Sequence, residues 1–581
     1  MLARTFHSIP PRLATWLLGG CLLLSASLRA VAEDAPATAD APGQADLDAA
    51  IEAKLSADQL DDFGTVLDLC KRALEKGLDD DAKKFATELY TGTLVDRAGM
   101  LLEAIIDAPR PDAQWPRMRA FAMRDLAEVV DRDPQIGQAH LMIARLEALP
   151  GGDRERAAAA ATKALELVGN DRLQQAQAHV VLGTIAEDTE QRLEEFGKAV
   201  ELAPRDVEIR RTRGLALLVE DEFEKAREDL LVATEEQPDD AGLFEALGMA
   251  CMMGDRLDEA EKAFDRALEI EPDAAGVLLQ RARLLAVRGE KERSLADIGK
   301  ALDIAPDDAS ARVLRARVLQ QAGDTEKALV DLEEVLRDDP DLAPALELRG
   351  LIAAEGGDFE TAIRDFRRLV AKNADDPVLL TQLGTLYLAA KRPREAIRRF
   401  SRALEIDEES FPGRRGRSDA EITIGDHKAA LADLEKALEL RPDDTGVLNN
   451  LAWLLATSPD DDLRDGKRAI ELARQACEKT EWKEAHIVST LAAGHAESGD
   501  FDAARKFSRQ AVELGDDTAE VKEQLRQELA SYEAGKPWRE RQELPEAGVG
   551  VPAIPGGDEA VPPQEQKATK ERRKPRRPFD E

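Results

Sequence analysis

The stretch GMACMMGDRLDEAEKAFDRALEIEP, running from Gly248 to Pro272, decides the architecture. Most of it is strongly helix-forming, and the interruptions fall at Gly254-Asp255 and at Pro272. It therefore reads as the end of one helix, a tight turn and a whole second helix closed by proline. Counted back from Pro272, a small residue stands at five (Ala267), a bulky one at eight (Phe264), a small one at twelve (Ala260) and glycine at twenty-four (Gly248).

The same offsets recur on either side. Pro204, Pro238, Pro272, Pro306 and Pro340 follow one another at intervals of 34 residues, Ala374 and Glu408 occupy the next two steps, and Pro442 closes the series. Eight before these places come Phe196, Leu230, Phe264, Ile298, Leu332, Phe366, Phe400 and Leu434; twelve before come Ala226, Ala260, Ser294, Ala328, Ala362, Ala396 and Ala430. The twenty-fourth place back holds Gly214, Gly248, Gly350 and Gly384, with Ala282, Ala316 and Ser418 in the other periods. Small residues at fixed points let two helix backbones approach, and bulky ones fill the space between neighbouring pairs. A fixed period of this kind marks a repeat architecture. The pattern resembles the tetratricopeptide repeat family, whose units pair a small residue in a first helix (A) with Ala and an aromatic in a second (B), then proline. The resemblance implies an all-α fold, a right-handed α-solenoid of stacked helix-turn-helix pairs that presents a groove lined by its A helices to protein or peptide segments.

Seven in-phase units span 205–442. Irregular units precede them over 133–204, where Lys163-Ala164-Leu165-Glu166-Leu167 and Lys198-Ala199-Val200-Glu201-Leu202 lie 35 apart, and 45–132 reads as degenerate helical repeats forming an N-terminal cap. Variant units follow over 443–515, with one helix-to-helix link lengthened by Ser458 to Asp465, and a capping helix over 516–535 covers the last apolar face. Arg4 and Arg12, an apolar run from Leu13 to Leu28 and then Ala30-Val31-Ala32 give 1–32 the form of a signal peptide. That run is shorter than the roughly 20 residues that span a bilayer. A second reading takes Leu18-Gly19-Gly20-Cys21 as a lipoprotein cleavage box, which would anchor the chain to a membrane through a lipidated Cys21. Residues 33–44 read as a flexible leader, and 536–581 as a disordered Pro-rich tail with a basic end. That end carries Lys567, Lys570, Arg572, Arg573, Lys574, Arg576 and Arg577, which either stay solvated, fold back on the acidic solenoid or hold an anionic polymer or lipid headgroup.

The 581 residues include 80 Lys+Arg against 116 Asp+Glu, a net charge of −36. A field of that sign repels nucleic acid, which needs a basic face. Aromatics at 4 % argue against a large conventional core, and four cysteines exclude a disulfide scaffold. His140, His179, His427, His486 and His495 lack metal-binding spacing and read as partly exposed helical residues. Cys70, Cys251 and Cys477 lie far apart, and Cys251 occupies a bulky core place of the repeat. Neither a GxSxG nor a GxxxxGK(S/T) motif occurs. Asp460-Asp461-Asp462-Leu463-Arg464-Asp465-Gly466 with Glu471 looks like a calcium loop, but Arg464 takes a ligand place and Asp465 that of the turn glycine, so it reads as the solvated start of a helix. No cofactor, metal or catalytic residue is expected, and the chain does not read as an enzyme.

If the residue twenty-four before each proline faces the core, those one, four and five later face the groove, as does the one three earlier. This assigns to the groove Leu215, Leu218 and Val219, then Met249, Met252 and Met253, then Arg283 with Ala286, then Arg317, Gln320 and Gln321. An apolar, methionine-bearing patch followed by two arginines suits a peptide with apolar anchors and a carboxylate. The same apolar residues equally suit packing between adjacent A helices. The carboxylate clamp of chaperone adaptors in this family sets Lys and Asn on one A helix and Lys and Arg on the next. Here the corresponding places hold Arg211 with Leu215, Glu245 with Met249 and Glu347 with Leu351, so the clamp is absent. Arg213, Arg281, Arg315, Arg349 and Arg417, each one before the small A-helix residue, read as a surface charge ladder with acids of neighbouring helices, worth little apiece. The sequence thus describes a noncatalytic, exported scaffold or adaptor that binds protein segments in the bacterial envelope, periplasmic or secreted. The alternatives are a periplasmic holdase for exported chains and a subunit of a secretion or polymer-export machine.

Overall fold

The computed structural model describes residues 41–106, 114–515 and 519–540. Among them are 27 α-helices, one short 3-10 helix and no strand. The expected signal peptide, Cys21, most of the leader and the basic end of the tail lie outside the described residues. Residues up to Pro340 belong to one compact unit and those from Asp341 to a second.

Within each repeat two helices form a hairpin, as Ala241–Met253 does with Leu257–Ile270 and Pro377–Ala389 with Pro393–Ile406. The turn inside the hairpin has one recurring demand. Asp221, Asp255, Gly289, Gly323, Gly357, Lys391 and Gly425, again 34 apart, all take positive φ between 58° and 86°. Glycine is unstrained there, whereas a long side chain such as that of Lys391 costs about 1 kcal/mol. The turn between repeats is made differently. Proline ends helix B, and the aspartate two places on opens the next A helix: Asp240 accepts from the Leu243 N–H, Asp308 from those of Ser310 and Ala311, and Asp444 from that of Val447.

With the turn midway between them, residue i of helix A lies level with residue i+16 of helix B. A Cβ built on Gly248 would lie 2.5 Å from the Phe264 ring, and the corresponding distances are 2.7 Å for Gly384 with Phe400, 2.8 Å for Gly350 with Phe366 and 2.9 Å for Gly214 with Leu230. The four bulky side chains are buried. Any larger A-helix residue at these places would push the pair apart, at about 1–3 kcal/mol.

One residue earlier on both helices lies a second contact. Arg213, Arg281, Arg315, Arg349 and Arg417 each donate Nε and Nη2 to the two oxygens of Asp229, Asp297, Asp331, Asp365 and Asp433, at 2.5–2.8 Å. The carboxylates are at most 6 % exposed. This corrects the expected surface ladder: each is a buried, bidentate pair inside its own repeat. Arg281 extends one hydrogen bond of 2.6 Å to Asp265 of the preceding repeat, and Arg417 one of 3.1 Å to Ser401. Two repeats lack the arginine and also lack the acid, having Leu247 with Ala263 and Leu383 with Arg399. A buried carboxylate deprived of its cation is far costlier than an apolar pair in the same place. Around Asp433 the charges crowd. Arg414 also binds it at 3.0 Å, and Glu421 stands 3.7 Å from Arg417 with a buried Oε2 that lacks a hydrogen-bond partner. Burial first, then repulsion by Asp433, pushes the Glu421 carboxyl up to about 7.

Towards the N-terminus the register changes. The first described helix begins at Gln44, inside the stretch expected to be leader, and the Gly43 N–H donates to the Gly77 carbonyl at 3.0 Å. Asp80–Ile106 is 27 residues long, twice a repeat helix, and its Arg97 grips Asp125 of Trp115–Arg132 at 2.7 and 2.8 Å across 28 residues rather than 16. In the second unit, the lengthened link between Thr445–Thr457 and Gly466–Lys479 holds the 3-10 turn Asp461–Leu463. The helix Ala519–Glu533 closes the array with Leu525, Glu528 and Tyr532 buried. Residues 536–540, expected to be disordered with the tail, are instead packed. The Lys536 N–H donates to Ser531 at 3.0 Å, the Glu540 N–H donates to the Thr457 carbonyl at 3.0 Å, Arg539 pairs with Glu497 at 2.6 Å, and Trp538 packs on the core.

Two outcomes follow from the buried pairs. Arg349→Leu leaves the buried Asp365 with only the largely exposed Arg364, 3.8 Å away, and is expected to cost about 3 kcal/mol. The double change Arg349→Leu/Asp365→Ala, which copies the repeat at Leu247 and Ala263, should recover most of that loss in urea unfolding followed by circular dichroism. Glu421 holds a proton in the folded chain at pH values where the unfolded chain has lost it, so its contribution to stability falls as pH rises from about 4.5 through about 7. Glu421→Gln should remove that slope and be the more stable chain at pH 8, by on the order of 2 kcal/mol, as measured by urea midpoints at pH 5.5 and pH 8.

Candidate functional site

Four successive A helices, Val207–Val219, Ala241–Met253, Ala275–Val287 and Ala309–Ala322, position the groove residues expected from the sequence. The structure separates these residues into two sets. Leu218 is buried at 7 % exposure, and Leu215, Met249 and Met252 are half-buried against the cluster built on Leu217, Leu247, Cys251 and Phe264. These four side chains are engaged in packing against that cluster. Val219 and Met253, one turn further toward the helix end, are 59 % and 46 % exposed.

A third member of that row was not singled out from the sequence. Val287, 34 after Met253 and five after Ala282, is 73 % exposed. The five-place rule that yields Val219 and Met253 also yields Val287, so the signal was present. Three consecutive A helices therefore end in an exposed apolar side chain at the same height of the repeat.

Beside the row stand Arg283 and Arg317, both exposed. Arg283 Nη1 donates to Gln280 Oε1 at 2.9 Å. Surrounding protein holds its guanidinium below the ordinary value despite its access to solvent, against the attraction of the Asp308 carboxylate and with the like charge of Arg317 adding to the shift. The patch is thus two cations that Asp308 balances in part. Gln321 is exposed and Gln320 half-buried, and the Gln321 carbonyl accepts from Lys291. On the preceding A helix Glu245 is half-buried, its carboxyl raised by burial and by Glu271. The A-helix face thus carries Glu245 on the middle helix of the apolar row, Arg283 on its last helix and Arg317 on the next.

Other reactive side chains are put to structural use. Cys70, Cys251 and Cys477 are buried free thiols, with those of Cys70 and Cys477 pushed up to about 11 by burial, which keeps them un-ionised and poorly nucleophilic. His427 is buried at 4 % exposure with Nδ1 3.1 Å from Ser458 Oγ, against the expectation of a partly exposed residue. His179 Nδ1 lies 2.6 Å from Glu195 Oε2. In the acidic loop, Asp465 caps Gly466–Lys479 through the Arg468 N–H, and Arg464 Nε donates to Glu497 at 2.9 Å. Among the described residues no group of three or more His, Cys, Asp or Glu side chains is placed to hold a metal. No described helix is long and apolar enough to cross a membrane.

Three models of the tetratricopeptide repeat match the chain: one over residues 211–275, 253–309 and 313–377, a second over 353–412 and a third over 417–444. No curated protein matches. Similar solved structures include the hetero-tetramer Cut9-Hcn1 of the APC/C, at 16 % identity over 76 % of this chain and 90 % of that one with a TM-score of 0.35. Yeast Tom70 is similar at 17 % identity over 66 % and 92 % with a TM-score of 0.30. YrrB, described as a TPR protein with an unusual peptide-binding site, is similar at 23 % identity over 33 % and 98 % with a TM-score of 0.30. Built from paired helices in a 34-residue period and matched in successive parts by the three models, residues 211–444 of this chain are tetratricopeptide repeats.

Proposed function

We propose that the chain is a noncatalytic scaffold that binds an extended protein segment across the A-helix ends of its first unit. The observation that carries this reading is the exposed row Val219, Met253 and Val287, one apolar anchor per repeat. Packed helices lie about 8–10 Å apart, close to one three-residue turn of a polyproline II segment at about 3.1 Å per residue. A segment bound in that conformation would present every third side chain to the row. Arg283 and Arg317 would take an acidic side chain or terminal carboxylate of the same segment. The form of residues 1–32 supports action after export, in the bacterial envelope, with Cys21 as a lipid anchor in the alternative reading.

A holdase for unfolded exported chains is the second reading, favoured by the same row because methionine adapts to varied apolar partners. The two separate experimentally. Val219→Lys/Met253→Lys/Val287→Lys changes exposed side chains and should leave helicity intact while weakening capture of a specific partner about tenfold or more. Arg283→Ala/Arg317→Ala should weaken it less and flatten its salt dependence. Affinity capture from envelope extracts, scored against wild type, checks both. Unchanged capture by the triple variant contradicts the proposal, and suppression of aggregation across unrelated unfolded proteins favours the holdase.

A further inference from the structure

The second unit contains a cavity of about 680 Å³ that the proposed function leaves unused. Trp453, near the end of Thr445–Thr457, and Trp538, beyond the closing helix, line it with Glu523, Gln524, Gln527 and Glu540. The segment carrying Trp538 and Glu540 is held in place by the Glu540 N–H bond to Thr457 and the Arg539 pair with Glu497. Glu540 is the notable group. Its Oε2 is shut off from solvent and has no hydrogen-bond partner, with His427 Nε2 4.0 Å away, and burial raises the carboxyl above the usual range although the Trp453 indole bonds to it.

Two indole rings, the exposed Glu523 carboxylate and the half-buried Glu540 carboxyl favour a cation. The rings attract it through their quadrupoles and the carboxylates through charge-assisted hydrogen bonds, and a guanidinium satisfies both at once. The chain itself supplies such a ligand. It leaves the described structure at Glu540, on the rim of the cavity, and 27 residues later begins the run Lys567 to Arg577, with seven cations among eleven residues. Twenty-seven residues can span up to about 90 Å, so the tether does not limit reach. Being on the same chain, the run would meet the cavity at an effective concentration in the millimolar range. We propose that the Lys567–Arg577 segment docks in cis on Trp453 and Trp538, its cations meeting Glu523 and Glu540. The cavity is then self-occupied, and a basic segment of another protein would have to displace the tail to enter.

Zero-length carbodiimide crosslinking of the full chain, with mass spectrometry of the monomer band, tests this. The expected result is a set of links from Lys567, Lys570 or Lys574 to Glu523 or Glu540, weaker by about tenfold in 0.5 M salt, where the screening length falls to about 4 Å. Changing all seven cations to Gln should also shift tryptophan emission to longer wavelength, because Trp453 and Trp538 become wetter. Glu523→Gln should abolish the links to Glu523 and weaken those to Glu540 while the circular dichroism of the chain is unchanged, which separates loss of docking from loss of fold. Links spread over carboxylates of the whole array, links confined to a dimer band, or tryptophan emission indifferent to the seven changes would each overturn the proposal.

Discussion

The interior of each repeat depends on a contact between two consecutive residues of helix A and the two residues sixteen places on in helix B. The first pair is a bidentate salt bridge, as Arg349 with Asp365, and the second a steric fit, as Gly350 with Phe366. One sets the distance between helices and the other their register, because a planar guanidinium satisfies both carboxylate oxygens in one alignment only. The two repeats that omit the bridge keep the steric fit, through Gly248 with Phe264 and Gly384 with Phe400. The fit is therefore the more general requirement, and the bridge is a means of making the register specific.

This arrangement also frees the surface that carries function. With core residues near the middle of helix A committed to helix B, the end of helix A is released from packing duties. Leu218 and Met252 still serve the core, while Val219, Met253 and Val287, at the end of the same helices, do not. The consequence is a row of exposed side chains with the period of the repeat. Arg283 and Arg317 add positive charge beside the last helix of the row and on the helix that follows it.

The repeat itself was legible because glycine, alanine, phenylalanine and proline each answer a local need at a fixed offset. The arginines were visible too, but their partners were not sought at the right spacing. Read on one helix alone, Arg213 looks like a surface charge, and only the hairpin register shows that it faces Asp229. For the groove, helical geometry gives the direction of Met249 and Met252 but not the cluster of neighbouring side chains that half-buries them. The first helices were hard to place because Asp80–Ile106 is too long for the 34-residue unit and moves the Arg97 to Asp125 bridge to a spacing of 28. Residues 536–540 were misjudged on composition, since the burial of one tryptophan and three backbone or ion-pair contacts outweighs a Pro- and Gly-rich context.

The most direct measurement places a photoreactive amino acid at Val287 and, separately, at Val330. Both are exposed valines, at 73 % and 63 %, but Val287 ends an A helix and Val330 lies in a B helix, Thr325–Asp338. Irradiation of cells expressing each chain, followed by mass spectrometry, should give a defined partner adduct at Val287 and none at Val330. Equal adducts at both positions, or adducts at Val330 alone, would contradict the assignment of the binding surface to the A-helix ends.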